Sequence, residues 1–291
     1  MAIDFKRHKN TVFSETLNLV LGNRRFSKTG PVVMGILNLT PDSFYDGSRY
    51  PDQKSMLQAA EKMLIQGAAI IDVGAASTRP GAVAISAEEE IKRLVGNLRM
   101  LVKMFPDAII SVDTYHASVA KAAIDEGAMM INDISGGMFD PAMLDFIGSH
   151  NIPYVLMHTT GSPDRMMHNP LGSEAVEVVK AFFEKQLPLL RQKGGHQVIL
   201  DPGFGFGKSV EGNYLLLKNL GELRVEGLPI MAGLSRKSLV NKVLNTSAGE
   251  ALNGSTVLHT IALLQGAQIL RVHDVKEAVE VVNLCRQFDG V

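Results

Sequence analysis

The chain has 291 residues, a formal net charge of -1, 46% hydrophobic and 20% charged residues. That is ordinary globular composition with material for a sizeable core, and no basic run favours nucleic acid or an anionic membrane as a partner. The single cysteine, Cys285, excludes an internal disulfide and fits a reducing compartment. With no apolar stretch of signal-peptide or bilayer-spanning length, the expectation is a cytoplasmic protein without membrane contact.

In chain order, residues 1–30 hold alternating stretches around Gly22-Asn23, which predicts a short N-terminal hairpin closing the bottom of the following domain. Eight short apolar runs come next, at 32–37, 69–73, 108–112, 129–131, 153–157, 198–200, 229–232 and 268–270, separated by segments of helical periodicity. This βα alternation predicts a parallel sheet. The eight repeats fit a TIM (β/α)8 barrel, a fold that commonly occupies about 250 residues as one domain. Helix starts are expected at a capping box of Ser86 and Glu89, at Asp140-Pro141, and at Asp274 with Glu277. Glu88-Glu89-Glu90 read as first-turn acids favoured by the helix dipole, Cys285 as a structural thiol, and most of the 14 methionines as core filler.

Nearly every apolar run ends at a residue suited to catalysis or binding: Asn38, Asp113, Asn132, His158, Asp201, and Arg271 with His273. In a parallel barrel all strand C-termini meet on one face, and that face carries the active site. An enzyme is therefore the expected class. Two connections, 39–51 and 75–86, are long and rich in Gly, Pro, Ser and Asp, as lids or binding loops above such a mouth would be.

Asp113, Asn132 and Asp201 would offer neighbouring carboxylates and an amide to a flat heterocycle with several donors and acceptors. A carboxylate can accept two parallel hydrogen bonds from a guanidine-like edge, as it does from arginine. Lys237 would add a cationic donor to a ring oxygen or nitrogen. Any one of these could instead cap a turn; all three together are harder to explain that way. Arg271 and His273 share one side of a strand by its period of two and precede a helix N-terminus, a natural place for phosphate or diphosphate. Asn38 could add a metal-linked oxygen, and Met157 could line the pocket. The stretch from Asp201 to Ser209 mimics a nucleotide loop but fails on spacing, since Pro202 stands where a Walker A glycine is required. Its glycines fit a backbone passing close to a ligand beneath Phe206.

Together these segments resemble the dihydropteroate synthase family. The matching stretches are Met34-Gly35-Ile36-Leu37-Asn38-Leu39-Thr40-Pro41-Asp42-Ser43-Phe44, Ser77-Thr78-Arg79-Pro80-Gly81-Ala82, Ser111-Val112-Asp113-Thr114, Ile131-Asn132-Asp133-Ile134, the 201–208 loop, Ser235-Arg236-Lys237-Ser238 and Arg271-Val272-His273-Asp274. The resemblance implies a transferase of folate biosynthesis that condenses 6-hydroxymethyl-7,8-dihydropterin diphosphate with 4-aminobenzoate. It implies catalytic roles for Asp113, Asp201, Lys237 and Arg271, and pterin contacts at Asp113, Asn132, Met157, Asp201, Phe206, Lys237 and Arg271. Diphosphate would meet Asn38, Thr78, Arg79, Arg271 and His273, with Mg2+ on Asn38. The resemblance further places 4-aminobenzoate between Phe44 and Pro80, with its carboxylate at Ser235, and implies a homodimer and sulfonamide competition.

Two departures from the family pattern stand out. Gly74-Ala75-Ala76-Ser77 replaces the usual Gly-Gly-Glu-Ser, and Thr159-Thr160 follows His158 where Met-Gln is usual, altering a rim contact. The rival readings are a pterin-binding methyltransferase domain and a non-catalytic pterin-binding protein. Methyl transfer needs no diphosphate site, so Ser235-Arg236-Lys237 and Arg271-Val272-His273 count against the first. Retention of both long loops counts against the second.

Overall fold

The structure, a computed structural model, describes residues 11–39, 53–77 and 81–290. After a 3-10 turn at Thr11–Phe13, β1 (Thr16–Leu21) and β2 (Arg24–Thr29) form an antiparallel hairpin. Gly22, at φ +59°, takes the left-handed turn conformation that only glycine adopts without cost. The parallel strands follow: β3 (Val32–Asn38), β4 (Ile70–Gly74), β5 (Ile109–Asp113), β6 (Met130–Asp133), β7 (Tyr154–Met157), β8 (Val198–Asp201), β9 (Met231–Ala232) and β10 (Ile269–Val272). Each pairs with its neighbour in chain order from β3 to β8, β9 pairs with β10, and β10 returns to β3. A parallel bridge from Leu200 to Ile230 joins β8 to the short β9 edge. The eight strands thus form a nearly closed barrel.

Around it lie α1 (Gln53–Ile65), α2 (Ala87–Met104), α3 (Ala117–Asp125), α4 (Ala142–His150), α5 (Ala175–Gln192), α6 (Val210–Lys218), α7 (Ser238–Leu244), α8 (Leu252–Leu264) and α9 (Val275–Asp289). Among the described residues, no helix is long and apolar enough to cross a membrane.

The strands run past the apolar segments, so Asn38, Asp113, Asn132, Asp201 and Arg271 sit inside the ladders. Backbone pairing is indifferent to side-chain polarity, and a polar group that faces the mouth does not end a strand. Period two then sorts the interior into layers. Met34, Ile70, Ile109, Met130, Val155, Ile199, Met231 and Ile269 form an apolar lower layer with Leu17, Leu19 and Leu21 of the hairpin. Two residues further along each strand come Ile36, Asp72, Ser111, Asn132, Met157, Asp201, Gly233 and Arg271. The intervening side chains, such as Leu37, Ile71, Val112 and Leu200, join the helix-facing core.

The hairpin is pinned at the end opposite this polar layer. Gln197 accepts from Val20 N at 2.6 Å and donates to Val20 O at 3.1 Å, while Arg224 forks onto the Glu15 carboxylate.

Three helix starts differ from expectation. Ser86 accepts from Glu89 N at 3.3 Å, but the Glu89 carboxylate reaches Arg93, so only half of the capping box exists. Asp140 splits its carboxylate between Ala142 N (3.0 Å) and Ala117 N (2.7 Å), tying α3 to α4. Asp274 caps no N–H of its helix, because its carboxylate binds Arg236 through two 2.8 Å bonds. Glu90 falls in the first turn of α2 as expected, but not in solvent. It lies buried, 4.0 Å from His116, and burial pushes its carboxyl up to about 7.

Candidate active site

Arg271 organises one half of the barrel mouth. Its Nε donates to Asp72 Oδ2 at 2.7 Å and its Nη2 to Asp113 Oδ2 at 2.7 Å. Asn132 Nδ2 donates to the same Asp72 oxygen at 2.9 Å. Burial favours the neutral carboxyl of Asp113 and raises its pKa, with the Arg271 charge opposing. Burial also works against the Arg271 charge, but Asp72 and Asp113 more than offset it, and the guanidinium stays above its usual range. Gly74 leaves room beside this group: a Cβ there would lie 3.5 Å from Asn38 Oδ1 and 3.9 Å from Asp113 Oδ2.

Asp201 and Lys237 form the other half. Lys237 Nζ donates to Phe204 O at 2.6 Å and sits 4.7 Å from the centre of the Phe206 ring, close enough for a cation–π contact. Burial lowers its pKa to about 8, and the Asp201 charge opposes that fall. Burial raises the Asp201 carboxyl, with Lys237 opposing. Gly233 stands beside both, its added Cβ 3.5 Å from Lys237 Nζ. Met157 and Phe206 share an apolar wall with Tyr115, Ile134 and Phe139.

The glycine-rich loop after β8 is shaped by close backbone approach. A Cβ on Gly203 (φ +70°) would meet His158 O at 2.0 Å, and one on Gly207 (φ +68°) would meet Thr160 Oγ1 at 1.7 Å. Asp201 Oδ1 accepts from Gly203 N at 2.7 Å, and Asn213 Oδ1 from Gly205 N at 2.7 Å. Lys208, also buried, donates to His158 O at 2.8 Å. Thr159 and Thr160 bond Gly161 O and Met166 O of their own loop, so neither hydroxyl is spent as a rim contact.

Ser235 lies three residues ahead of α7 and is buried. Its Oγ accepts from His273 N at 3.2 Å and is 3.1 Å from His273 Nδ1. Burial lowers the His273 pKa to about 3, with the Arg271 charge adding to the effect. Its imidazole is therefore neutral at pH 7 and can offer an N–H to an anion.

Asn38, Asp113, Asn132, Met157, Asp201, Phe206, Lys237, Arg271, Ser235 and His273 all lie at the C-terminal ends of barrel strands or on the segments that follow. Phe44, Thr78, Arg79 and Pro80 lie outside the described residues. Sequence reasoning missed Asp72, Ser111 and Tyr115. A lone carboxylate inside Ile70-Ile71-Asp72-Val73, in phase with Gly74, was the available signal for Asp72.

Pterin binding enzymes match residues 34–273 as a family. The chain belongs to that family. The chain is also similar to dihydropteroate synthases. The Escherichia coli (strain K12) enzyme is 41% identical over 256 residues, covering 87% of this chain and 90% of the relative. Among solved structures, a Yersinia pestis dihydropteroate synthase with a sulfonamide drug complex has a TM-score of 0.89 at 39% identity, covering 94% of this chain and 100% of that one. A Xanthomonas albilineans dihydropteroate synthase with 4-aminobenzoic acid has a TM-score of 0.86 at 34% identity, covering 95% and 100%. This pterin-binding enzyme is a transferase of the dihydropteroate synthase type, built on the TIM barrel.

Proposed function

We propose that the chain, as a single barrel domain in the cytoplasm, condenses 6-hydroxymethyl-7,8-dihydropterin diphosphate with 4-aminobenzoate to give 7,8-dihydropteroate and diphosphate. The observation that carries this reading is the polar mouth above an apolar floor, where Asp113, Asn132, Asp201, Lys237 and Arg271 converge from five segments of the barrel. The guanidine-like edge of a pterin can donate in parallel to a carboxylate, and Asp201 and Asp113 supply carboxylates on opposing sides. Asn132 can bond a ring nitrogen, and Lys237 can donate to the ring carbonyl. Met157 and Phe206 supply apolar walls, and Arg271 can stack on the ring while facing the leaving group.

Diphosphate departs from the pterin methylene as the C–O bond breaks, and the neutral aromatic amine attacks the same carbon, forming the C–N bond and giving up one N–H proton to the departing diphosphate or to solvent. The electron-rich ring delocalises the developing positive charge, and no activated side-chain nucleophile is required. Arg271, Arg79 and the His273 N–H are assigned to the departing charge, an electrostatic role, and Thr78 to the same anion. Asp113 and Asp201 hold the ring and its charge; they do not shuttle the essential proton. Phe44 and Pro80 are assigned to closing over 4-aminobenzoate and excluding water, with Ser235 toward its carboxylate.

Magnesium is assigned to the diphosphate with Asn38 as its protein ligand, where it would neutralise leaving-group charge. The fit is reasonable on chemistry: magnesium keeps its waters and substrate phosphates and takes only one or two protein oxygens, and Asn38 Oδ1 flanks Gly74 at the mouth. Among the described residues no cluster of three His, Cys, Asp or Glu offers an all-protein cage.

A homodimer is proposed through the late helices, which expose Val243 and Leu244 on α7, Val257 on α8, and Leu284 and Phe288 on α9. Light scattering tests it.

The activity test is diphosphate release by purified protein with the pterin diphosphate and magnesium, with 4-aminobenzoate present or omitted. Release that requires 4-aminobenzoate, with dihydropteroate appearing in step, supports the reading. Pterin diphosphate binding without turnover would overturn it in favour of a binding protein.

A further inference from the structure

We infer that Asp72 is a positioning residue for the pterin site, holding Arg271 and Asn132 in register while Asp113 turns to the substrate. The inference rests on the function proposed above. Asp72 is wholly buried in the middle of β4, one step of the strand period below Gly74. In the barrel's lower layer the same face of the same strand carries Ile70, so the fold readily accepts an aliphatic side chain there. Replacing a buried ion pair by packed apolar groups is often neutral or stabilising. A carboxylate at this depth is therefore poorly explained by stability.

Its bonding supplies the explanation. One oxygen, Oδ2, accepts from both Arg271 Nε and Asn132 Nδ2. The other, Oδ1, has no hydrogen-bond partner among the described residues, and the same is true of Ser111 Oγ and Asp113 Oδ1. Ser111 is the register partner of Asp72 on β5. Buried polar atoms left unpaired are rare and call for an explanation such as function.

The guanidinium of Arg271 is thus gripped twice, by Asp72 at Nε and by Asp113 at Nη2. A pterin edge that donates to Asp113 competes with the second grip. It does not compete with the first. Asp72 then fixes the Arg271 plane against the ring and leaves its outer nitrogens for the diphosphate. Through Nδ2 of Asn132 it also sets which way that amide faces, leaving the amide oxygen to accept from the ring.

The test is Asp72→Asn, nearly identical in shape, with Asp72→Ala beside it. A hydrogen bond to a charged group contributes about 1.5–3 kcal/mol, so kcat/KM for the pterin diphosphate is expected to fall about 10- to 150-fold, since about 1.4 kcal/mol is tenfold. KM for 4-aminobenzoate at saturating pterin diphosphate is expected to change less than about threefold, while the thermal unfolding transition falls in both variants, because removing one partner of a buried pair leaves Arg271 less compensated; the role is therefore read from the split between the two substrates. In an Arg271→Ala background the cost of D72N is expected to be at least fivefold smaller, because coupled residues are non-additive.

Activity within twofold of wild type overturns the inference. So does an equal loss for both substrates, or an equal cost in both backgrounds; each indicates a structural role. If D72N unfolds, calorimetric binding of the pterin diphosphate to D72A decides instead, with wild-type affinity counting against the role. Wild-type protein that releases no diphosphate would overturn the proposed function itself, which is a separate result from an active wild type with an active D72N.

Discussion

Replacing Lys237 by Met keeps the apolar stem and removes an ammonium that burial disfavours. The pKa of Lys237 falls from 10.5 to about 8 in the folded protein. Each pH unit of displacement corresponds to about 1.4 kcal/mol, so the folded state forfeits on the order of 3 kcal/mol by carrying this charge at neutral pH. The folded pKa lies below the unfolded one, so between these values the unfolded chain binds more protons and stability rises with pH. The contribution is fully present above 10.5 and is lost as pH falls through about 8.

Urea unfolding of wild type and Lys237→Met at several pH values from 7.5 to 10.5 reads this group together with its effect on Lys208, because titrations remote from Lys237 are common to both proteins and cancel. The stability of wild type relative to the variant is expected to climb by on the order of 3 kcal/mol across that range. Activity should move the other way. The kcat/KM for the pterin diphosphate is expected to fall on an alkaline limb centred at about 8 in wild type, since this ratio reports the free enzyme's groups. The variant should lose about 10- to 150-fold at pH 7, the worth of one charge-assisted bond, and lack that limb. A stability difference that stays flat with pH would refute the reasoning, as would a wild-type limb beginning only near the ordinary lysine value.

Leu19→Ala, a hairpin residue in the lower apolar layer, is expected to cost about 2–5 kcal/mol in urea unfolding while kcat stays unchanged, because the site is at the other end of the barrel. Gly207→Ala places a Cβ 1.7 Å from Thr160 Oγ1 at φ +68°; it is expected to destabilise by more than about 1–2 kcal/mol, the cost of left-handed backbone alone, as read by thermal unfolding. The double variant Phe44→Ala, Pro80→Ala is expected to weaken sulfonamide inhibition and 4-aminobenzoate binding together; inhibition constants that do not change would remove that clamp from the account.

Much of the site was legible because a parallel barrel advertises its mouth. Asp113, Asn132 and Asp201 end apolar runs, and a polar residue at the end of a buried strand has few other places to point. Asp72 and Ser111 were illegible for the same reason. They share a layer with Asn132 and Asp201 but lie within their runs, one period before Gly74 and Asp113, where hydropathy averages them into their isoleucine and valine neighbours.

The strand ends were drawn short wherever a polar residue closed the ladder, as at Asp113 and Asp201. Asp274 and Glu89 carried the local signature of caps, but Arg236 and Arg93 claimed their carboxylates through contacts that local patterns do not encode. The Ser235–His273 bond links segments 38 residues apart, and no spacing rule anticipates it.

The most direct test of the central claim, that the strand ends converge on one pterin site, is a crystal structure of the protein with the pterin diphosphate bound. The account predicts the ring edge on Asp113, Asn132 and Asp201, with Lys237 donating to it and Arg271 still held by Asp72. A pterin bound anywhere else, or one seated in the mouth without contact to Asp113 and Asp201, would contradict it.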